Sequence, residues 1–447
     1  MLWANLTARV ATAGVVLPLL LRRLEPGDAA CYLLLGTLGA LPLTGAAGFS
    51  PTFVRFFGYA LAGRAPANAS ADAAATTEGA AFTVREIAGA MHRVYLGLAL
   101  AAAPVVLGLG AWLLRQPVAG TTDPGRAWLA WLLAAAGAPF AVYTAASSAL
   151  LQGTGHLARE QRWNAVFNAL GGVVLLAVLA GGGGLLALVG AGQAWTVVAF
   201  VRLRLLAARS LRGAAPAGDR PVPFARIWAR IWPPSWRSLV GTVMSLGVIQ
   251  GASLAYAQVF SGERLASFLL GLRLIALVSE ASRAPFYGRI PDFVRVYAGG
   301  DRGRLRALVA QGMRRAHAAY AAGVVGLLFL GPAVLAVVGA KTRFPARTFW
   351  IALGAAFFVE RFGAMHVQVV SLANRIIWHW TNGISGAVAA GLAWALAPSL
   401  GEWSLPVGLT IGYLSCYTVV GPLLSYRTLG TGFLAFERRV LWSRPGD

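Results

Sequence analysis

Apolar runs almost free of charge alternate along this chain with short segments that hold most of its arginine. This alternation constrains the fold more than any other feature. A helix needs about 20 residues to cross a hydrocarbon layer of about 30 Å, and the runs are of that length. A backbone in lipid must satisfy its own hydrogen bonds, so only helices and closed barrels cross. A barrel would show short segments of alternating hydrophobicity; these runs are continuous. Twelve helices are expected, over 3–21, 29–48, 94–114, 128–150, 165–181, 185–201, 239–259, 265–282, 316–340, 348–370, 376–397 and 405–426. The chain therefore reads as an all-α polytopic membrane protein. Composition agrees, since 12% of residues are charged against about 25% in a soluble domain.

Charge orients the spans. With both termini in the cytoplasm, 28 of the 38 lysines and arginines fall on the inner side, Arg9 near the inner end of the first helix counted among them, 8 on the outer side and 2, Arg273 and Arg361, within helices. That is the positive-inside asymmetry. It depends on reading Gly181–Gly184 as a turn; one long helix there would turn the arginine-rich 202–237 outward. Arg22 and Arg23, after the first helix, run against the bias. The net charge of +22 suits short inner loops facing anionic membrane lipid, and nucleic acid is not expected as a partner. Cys31 and Cys416 fall inside spans, with neither a disulfide framework nor a metal spacing. No small-residue cleavage site follows Leu21, so the first run is kept as a helix.

The longest basic interruption divides the chain near its middle. Six helices occupy 1–201, a basic cytoplasmic linker 202–238, and six helices with a short tail 239–447. Within the linker, Gly213 to Asp219 has a flexible composition. Arg226/Arg230 and Trp228/Trp232 have the i, i+4 spacing of a short amphipathic segment lying in the interface. Residues 64–82 read as a flexible inner loop. Pro51-Thr-Phe-Val-Arg55 and Pro291-Asp-Phe-Val-Arg295 share four of five residues at equivalent places. That suggests two halves related by an axis normal to the membrane.

Charge inside a span costs about 2.5–3.5 kcal/mol per residue, so each case needs a reason. Arg273 and Arg361 lie mid-span. Arg9 is also embedded, because 10–21 alone is too short to cross. Guanidinium groups offer permanent charge and paired donors, which suit a diphosphate. One reading is therefore a cationic cavity between two bundles, lined by Arg9, Arg273 and Arg361. The other is internal pairing, of Arg273 or Arg283 with Glu280 and of Arg361 with Glu360, and snorkelling for Arg9. Glu280 lies seven residues past Arg273, on the same helical face. Glu280 and Glu360 serve either ion coupling or charge pairing. Gln250 is a helix–helix hydrogen bond or a polar cavity contact. His366 and His379 read as interfacial hydrogen-bonding residues. There is no triad, metal cluster or phosphate-binding loop, so no metal, cofactor or ATP-driven step is expected. The outer loops are short, and their acids (Asp28, Asp123, Glu402) are scattered, which weighs against a membrane glycosyltransferase or polymerase.

Gly48-Phe-Ser-Pro-Thr-Phe-Val-Arg-Phe-Phe-Gly-Tyr-Ala-Leu-Ala-Gly63 resembles a stretch of bacterial polysaccharide-biosynthesis membrane proteins. So does Leu151-Gln-Gly-Thr-Gly-His156 with Arg162-Trp-Asn164. Pro285 with Val296-Tyr-Ala-Gly-Gly-Asp-Arg302 is similar to the inner loop after helix eight of O-antigen flippases. With its six-plus-six layout, the chain resembles the polysaccharide transporter branch of the multidrug/oligosaccharidyl-lipid/polysaccharide exporter superfamily. The resemblance implies a MATE-like pair of bundles in a bacterial inner membrane, working by alternating access. It implies an undecaprenyl-diphosphate-linked oligosaccharide as substrate, flipped to the outer leaflet, with a glycan polymerase and glycosyltransferases as partners. Moving a diphosphate outward across an inside-negative membrane releases about 2.3 kcal/mol per charge per 100 mV; a counter-moving proton or sodium ion is a second source of drive. The alternatives are an ion-coupled multidrug or cation antiporter of the same fold, a membrane glycosyltransferase or polymerase, and a non-transporting scaffold.

Overall fold

The computed structural model describes residues 2–61, 82–212, 222–373 and 377–442. Among them every regular element is helical. These are α1 (Leu2–Arg23), α2 (Pro26–Leu61), α3 (Val84–Leu113), α4 (Arg115–Ala119), α5 (Pro124–Gly153), α6 (Leu157–Ala180), α7 (Leu185–Arg212), α8 (Phe224–Tyr256), α9 (Gly262–Tyr287), α10 (Ile290–Ala298), α11 (Arg302–Val338), α12 (Arg347–Ser371), α13 (Trp378–Leu400), α14 (Ser404–Ser415), α15 (Tyr417–Leu429) and α16 (Phe433–Trp442). The loop expected over 64–82, apart from Phe82, and the segment 213–219 lie outside the described residues.

Among the described residues, ten stretches are long and apolar enough to cross a membrane. The last, Trp378–Leu429, takes in both the eleventh and the twelfth expected spans. α1 is a further helix of 22 residues. Its final turn carries Arg22 and Arg23, where cations meet the partial negative charge of the helix end. This is a local reason for two arginines that oppose the charge bias. The glycine run after α6 is a turn, as expected, with Gly182 at φ +79°, a conformation that a side chain disfavours.

Several helices outrun their apolar cores. α3 begins at Val84, ten residues before the expected span, because Thr83 and Glu86 form a reciprocal cap. The Thr83 amide donates to Glu86 Oε2 at 2.8 Å, and the Glu86 amide to Thr83 Oγ1 at 3.3 Å. Such a box satisfies two N–H groups that the helix start leaves open. α11 likewise starts at Arg302 behind Asp301, whose carboxylate accepts from the Arg304 amide at 2.9 Å. The linker's amphipathic segment is not a separate surface element. It is the first half of α8, which continues through Pro233 and Pro234. It is held by stacking: Trp228 lies 6.1 Å from Phe49 and 5.2 Å from Trp232, while Ile227 and Ile231 are buried. The twelfth expected span is two helices, broken at Cys416. The Tyr417 amide, freed by the break, donates to Ser385 Oγ on α13 at 2.9 Å.

The chain packs as two compact units, Met1–Val243 and Met244–Asp447. In the first, Phe49, Phe53, Phe57, Tyr95, Val142 and Ile231 form a core among α2, α3, α5 and α8. In the second, Phe286, Phe293, Met313, Met365, Tyr426 and Phe436 join α9 to α12, α15 and α16. The phenylalanines of the two Pro-x-Phe-Val-Arg stretches, Phe53 and Phe293, are buried in the respective cores. Small residues let helices approach. A Cβ on Gly412 would lie 2.5 Å from Ala389 Cβ, so α14 sits directly on α13, as small-residue seams allow where lipid offers no hydrophobic drive.

Candidate functional site

In the second unit the charged residues of α9 and α12 part into two kinds. From Leu265 to Tyr287 only Arg273 and Glu280 are exposed. They share one face, two turns apart. Arg273 makes no hydrogen bond or ion pair among the described residues. It stands near the middle of α9. Arg283, on another face, pairs with Glu360 of α12 at 2.6 Å. Glu360 is therefore committed to an α9 arginine and not to its neighbour Arg361.

Arg361 was expected to line a cavity; it is 0% exposed. Its Nη1 donates to Ser282 Oγ at 2.5 Å and to Ser279 O at 3.2 Å. Its Nη2 donates to Ser282 O at 2.7 Å and to Ala316 O at 2.9 Å. The guanidinium carbon lies 5.1 Å from the Tyr320 ring centroid. One side chain thus ties α12 to α9 and α11. Both terminal nitrogens are occupied, and only Nε is left without a partner. Four oxygen acceptors and an aromatic face replace the water that a buried cation loses. The pair of donors that a diphosphate would need is already used.

The other sequence candidates are scattered. Arg9 is exposed on α1, and Gln250 is half-buried on α8. His366 is fully buried, with Nδ1 3.0 Å from Ser425 Oγ and Nε2 3.5 Å from Glu437 Oε1. It joins α12 to α15 and α16. His379 is half-buried at the start of α13.

One residue escaped the sequence reading. Glu160 lies on α6, outside the expected span, yet is 2% exposed. Its Oε1 accepts from Ser148 Oγ of α5, while its Oε2 has no partner. Nearby on the same helix, Asn164 Oδ1 accepts from Arg202 of α7 at 2.5 Å. Asn5 bridges α1 to α6, donating to Gln161 and accepting from Asn168, both at 2.7 Å. The signal was the polar periodicity Glu160, Gln161, Asn164, Asn168, which continues the helix below its apolar part.

The acids that could have served an enzyme have structural tasks. Asp28 accepts from the Thr122 amide at 3.1 Å and its hydroxyl at 2.7 Å. Asp123 caps α5 and lies 3.2 Å from Arg126. Glu402 pairs with Arg264 at 2.7 Å.

No protein-family model and no curated protein matches this chain. Solved structures do. An inward-facing multidrug resistance MATE family transporter of the MOP superfamily aligns with a TM-score of 0.63 at 15% identity, over 97% of this chain and 99% of that one. The outward-facing conformation of a MATE transporter gives 0.63 at 15% identity, over 98% and 95%. The lipid II flippase MurJ, in an inward closed conformation, gives 0.61 at 11% identity, over 98% and 89%. The chain has the fold that these transporters share.

Proposed function

We propose that the protein is a membrane transporter of the alternating-access kind. Its substrate is an oligosaccharide carried on a lipid diphosphate, turned from the cytoplasmic to the outer leaflet of a bacterial inner membrane. The fold supports the transport reading, since it accommodates inward-facing and outward-facing transporters and a lipid II flippase alike. Arg273 is the observation that carries the substrate class. A permanent cation exposed at mid-helix, with no partner among the described residues, costs too much against hydrocarbon. Water and a passing anion remove that cost. A diphosphate matches the forked donors and releases energy as it moves toward the positive side of the membrane. Glu280, on the same face of α9, tempers the charge near Arg273; Arg9, exposed on α1 of the first unit, is a separate candidate cation for the substrate. Arg361 acts only by fixing α9 in place. A polymerase or glycosyltransferase would need free acids on the outer side. Asp28, Asp123 and Glu402 are bonded instead.

One observation favours a second reading. Glu160 is a buried carboxylate with one open oxygen, the kind of group that couples transport to a proton or sodium ion. It suits an ion-coupled cation antiporter as well as an ion-driven flippase.

The test is export in cells whose surface glycan depends on this chain. Arg273→Ala is expected to abolish the glycan while membrane levels of the protein stay normal. A normal surface glycan in that variant would remove the lipid-diphosphate reading.

A further inference from the structure

A cavity of about 640 Å³ opens in the first unit among α3, α5 and α7. Arg85, His92 and Arg93 of α3, Tyr143 and Ser147 of α5, and Arg204 of α7 supply its polar lining. Among the described residues no carboxylate borders it. The nearby Glu86 is already held by its cap with Thr83 and by the Val222 amide at 3.2 Å. None of the three arginines makes an ion pair among the described residues. Two of them are positioned nonetheless. Arg204 donates to the Tyr143 hydroxyl at 3.4 Å, and that hydroxyl lies 3.0 Å from His92 Nε2. The Arg93 guanidinium rests 5.6 Å from the Phe224 ring centroid. This is an open, three-arginine recess with no countercharge among the described residues that line it.

Apolar side chains lead away from the recess along all three helices. On α3, Leu96 and Leu100 follow His92 at i+4 and i+8, 45% and 67% exposed. On α7, Val201 and Val197 precede Arg204 by three and seven residues, 48% and 37% exposed. On α5, Phe140 precedes Tyr143 by three and is 38% exposed. α3 and α7 therefore continue the cationic recess into apolar strips on the same face, and Phe140 of α5 lies beside them. A free anion would use only the recess. A lipid uses both, with phosphate among the arginines and acyl chains along the strips. The recess lies at the arginine-rich helix ends, where the charge bias sets the inner leaflet, the leaflet with anionic lipid.

We propose that this recess is a binding site for the phosphate headgroup of an anionic phospholipid, distinct from the transport substrate. The occupant braces α3, α5 and α7 at their inner ends. The proposal does not depend on what the protein transports.

Native mass spectrometry of the full-length protein in detergent, titrated with dioleoylphosphatidylglycerol, dioleoylphosphatidylcholine or inorganic phosphate, tests it. Wild type is expected to retain phosphatidylglycerol in preference to phosphatidylcholine. The triple variant Arg85→Gln/Arg93→Gln/Arg204→Gln is expected to weaken that binding about a hundredfold. The control Arg226→Gln/Arg230→Gln/Arg237→Gln removes equal charge from α8 and is expected to bind as wild type. Tyr143→Phe, which keeps the fold and the charge, is expected to weaken binding about threefold by freeing Arg204. Equal loss in the α8 control, or unchanged binding in the triple variant, would overturn the site. Displacement of the lipid by an equal concentration of inorganic phosphate would also overturn it, because the acyl strips would then contribute nothing.

Discussion

At the scale of single residues, two mid-helix arginines that look alike in the sequence do opposite things. Arg273 and Arg361 each interrupt an apolar run, and sequence position sets only their depth. Arg361 is spent on oxygen atoms of α9 and α11, which lie 45 to 82 residues away along the chain. No local pattern announces those partners; Ser279 and Ser282 before Pro285 are a weak hint at most. The two arginines should therefore separate experimentally. Arg361→Lys keeps the charge but cannot reach four acceptors, and is expected to cost about 3 kcal/mol. Thermal unfolding in detergent would show it as a clear drop in Tm, while Arg273→Ala leaves Tm where it was. Equal Tm values for both variants would mean that the Arg361 bonds carry no stability. Glu360 was legible as a charge partner, although its partner is Arg283, one helix away.

At the scale of elements, the apolar runs located nearly every helix and misjudged their ends. Hydrophobicity marks the part of a helix in lipid, whereas caps mark where the helix begins. Thr83 with Glu86 three residues later is such a mark, and it was in plain view. The break at Cys416 was not, since neither glycine nor proline occupies that position. It becomes intelligible only when Ser385 is seen to accept the freed Tyr417 amide. Glycine usage divides in the same way, into positions that packing needs and positions that it does not. Gly412→Val forces atoms into Ala389 of α13 and is expected to cost about 1–3 kcal/mol. Gly391, within α13, has open space where a Cβ would be, and Gly391→Ala is expected to gain about 0.5–1 kcal/mol. Chemical or thermal unfolding of the two variants checks the pair. Destabilisation by both would show that the α13–α14 seam is not what sets the tolerance.

At the scale of the molecule, the class of fold was legible because lipid permits so few solutions. Recurring apolar runs and arginine-biased connections leave an all-helical membrane bundle as the simplest outcome, and the solved structures share that fold at 11–15% identity. The site was legible only in part. Arg273 and Glu280 could be placed on one face from their spacing alone. Glu160 belonged to a legible polar stripe, although its burial against Ser148 of α5 was not; the three-arginine recess and the role of Arg361 depend on contacts between segments distant in sequence. On the proposed function, a lipid-borne diphosphate is what this protein moves. The most direct measurement reconstitutes the purified protein in liposomes with one labelled oligosaccharide on two lipid carriers, one with a diphosphate and one with a neutral linkage, and follows each between leaflets under a membrane potential. The diphosphate-linked form alone should cross, and Arg273→Ala should stop it. Equal crossing of the two carriers, or no crossing of either while a cationic dye is exported, would contradict the account.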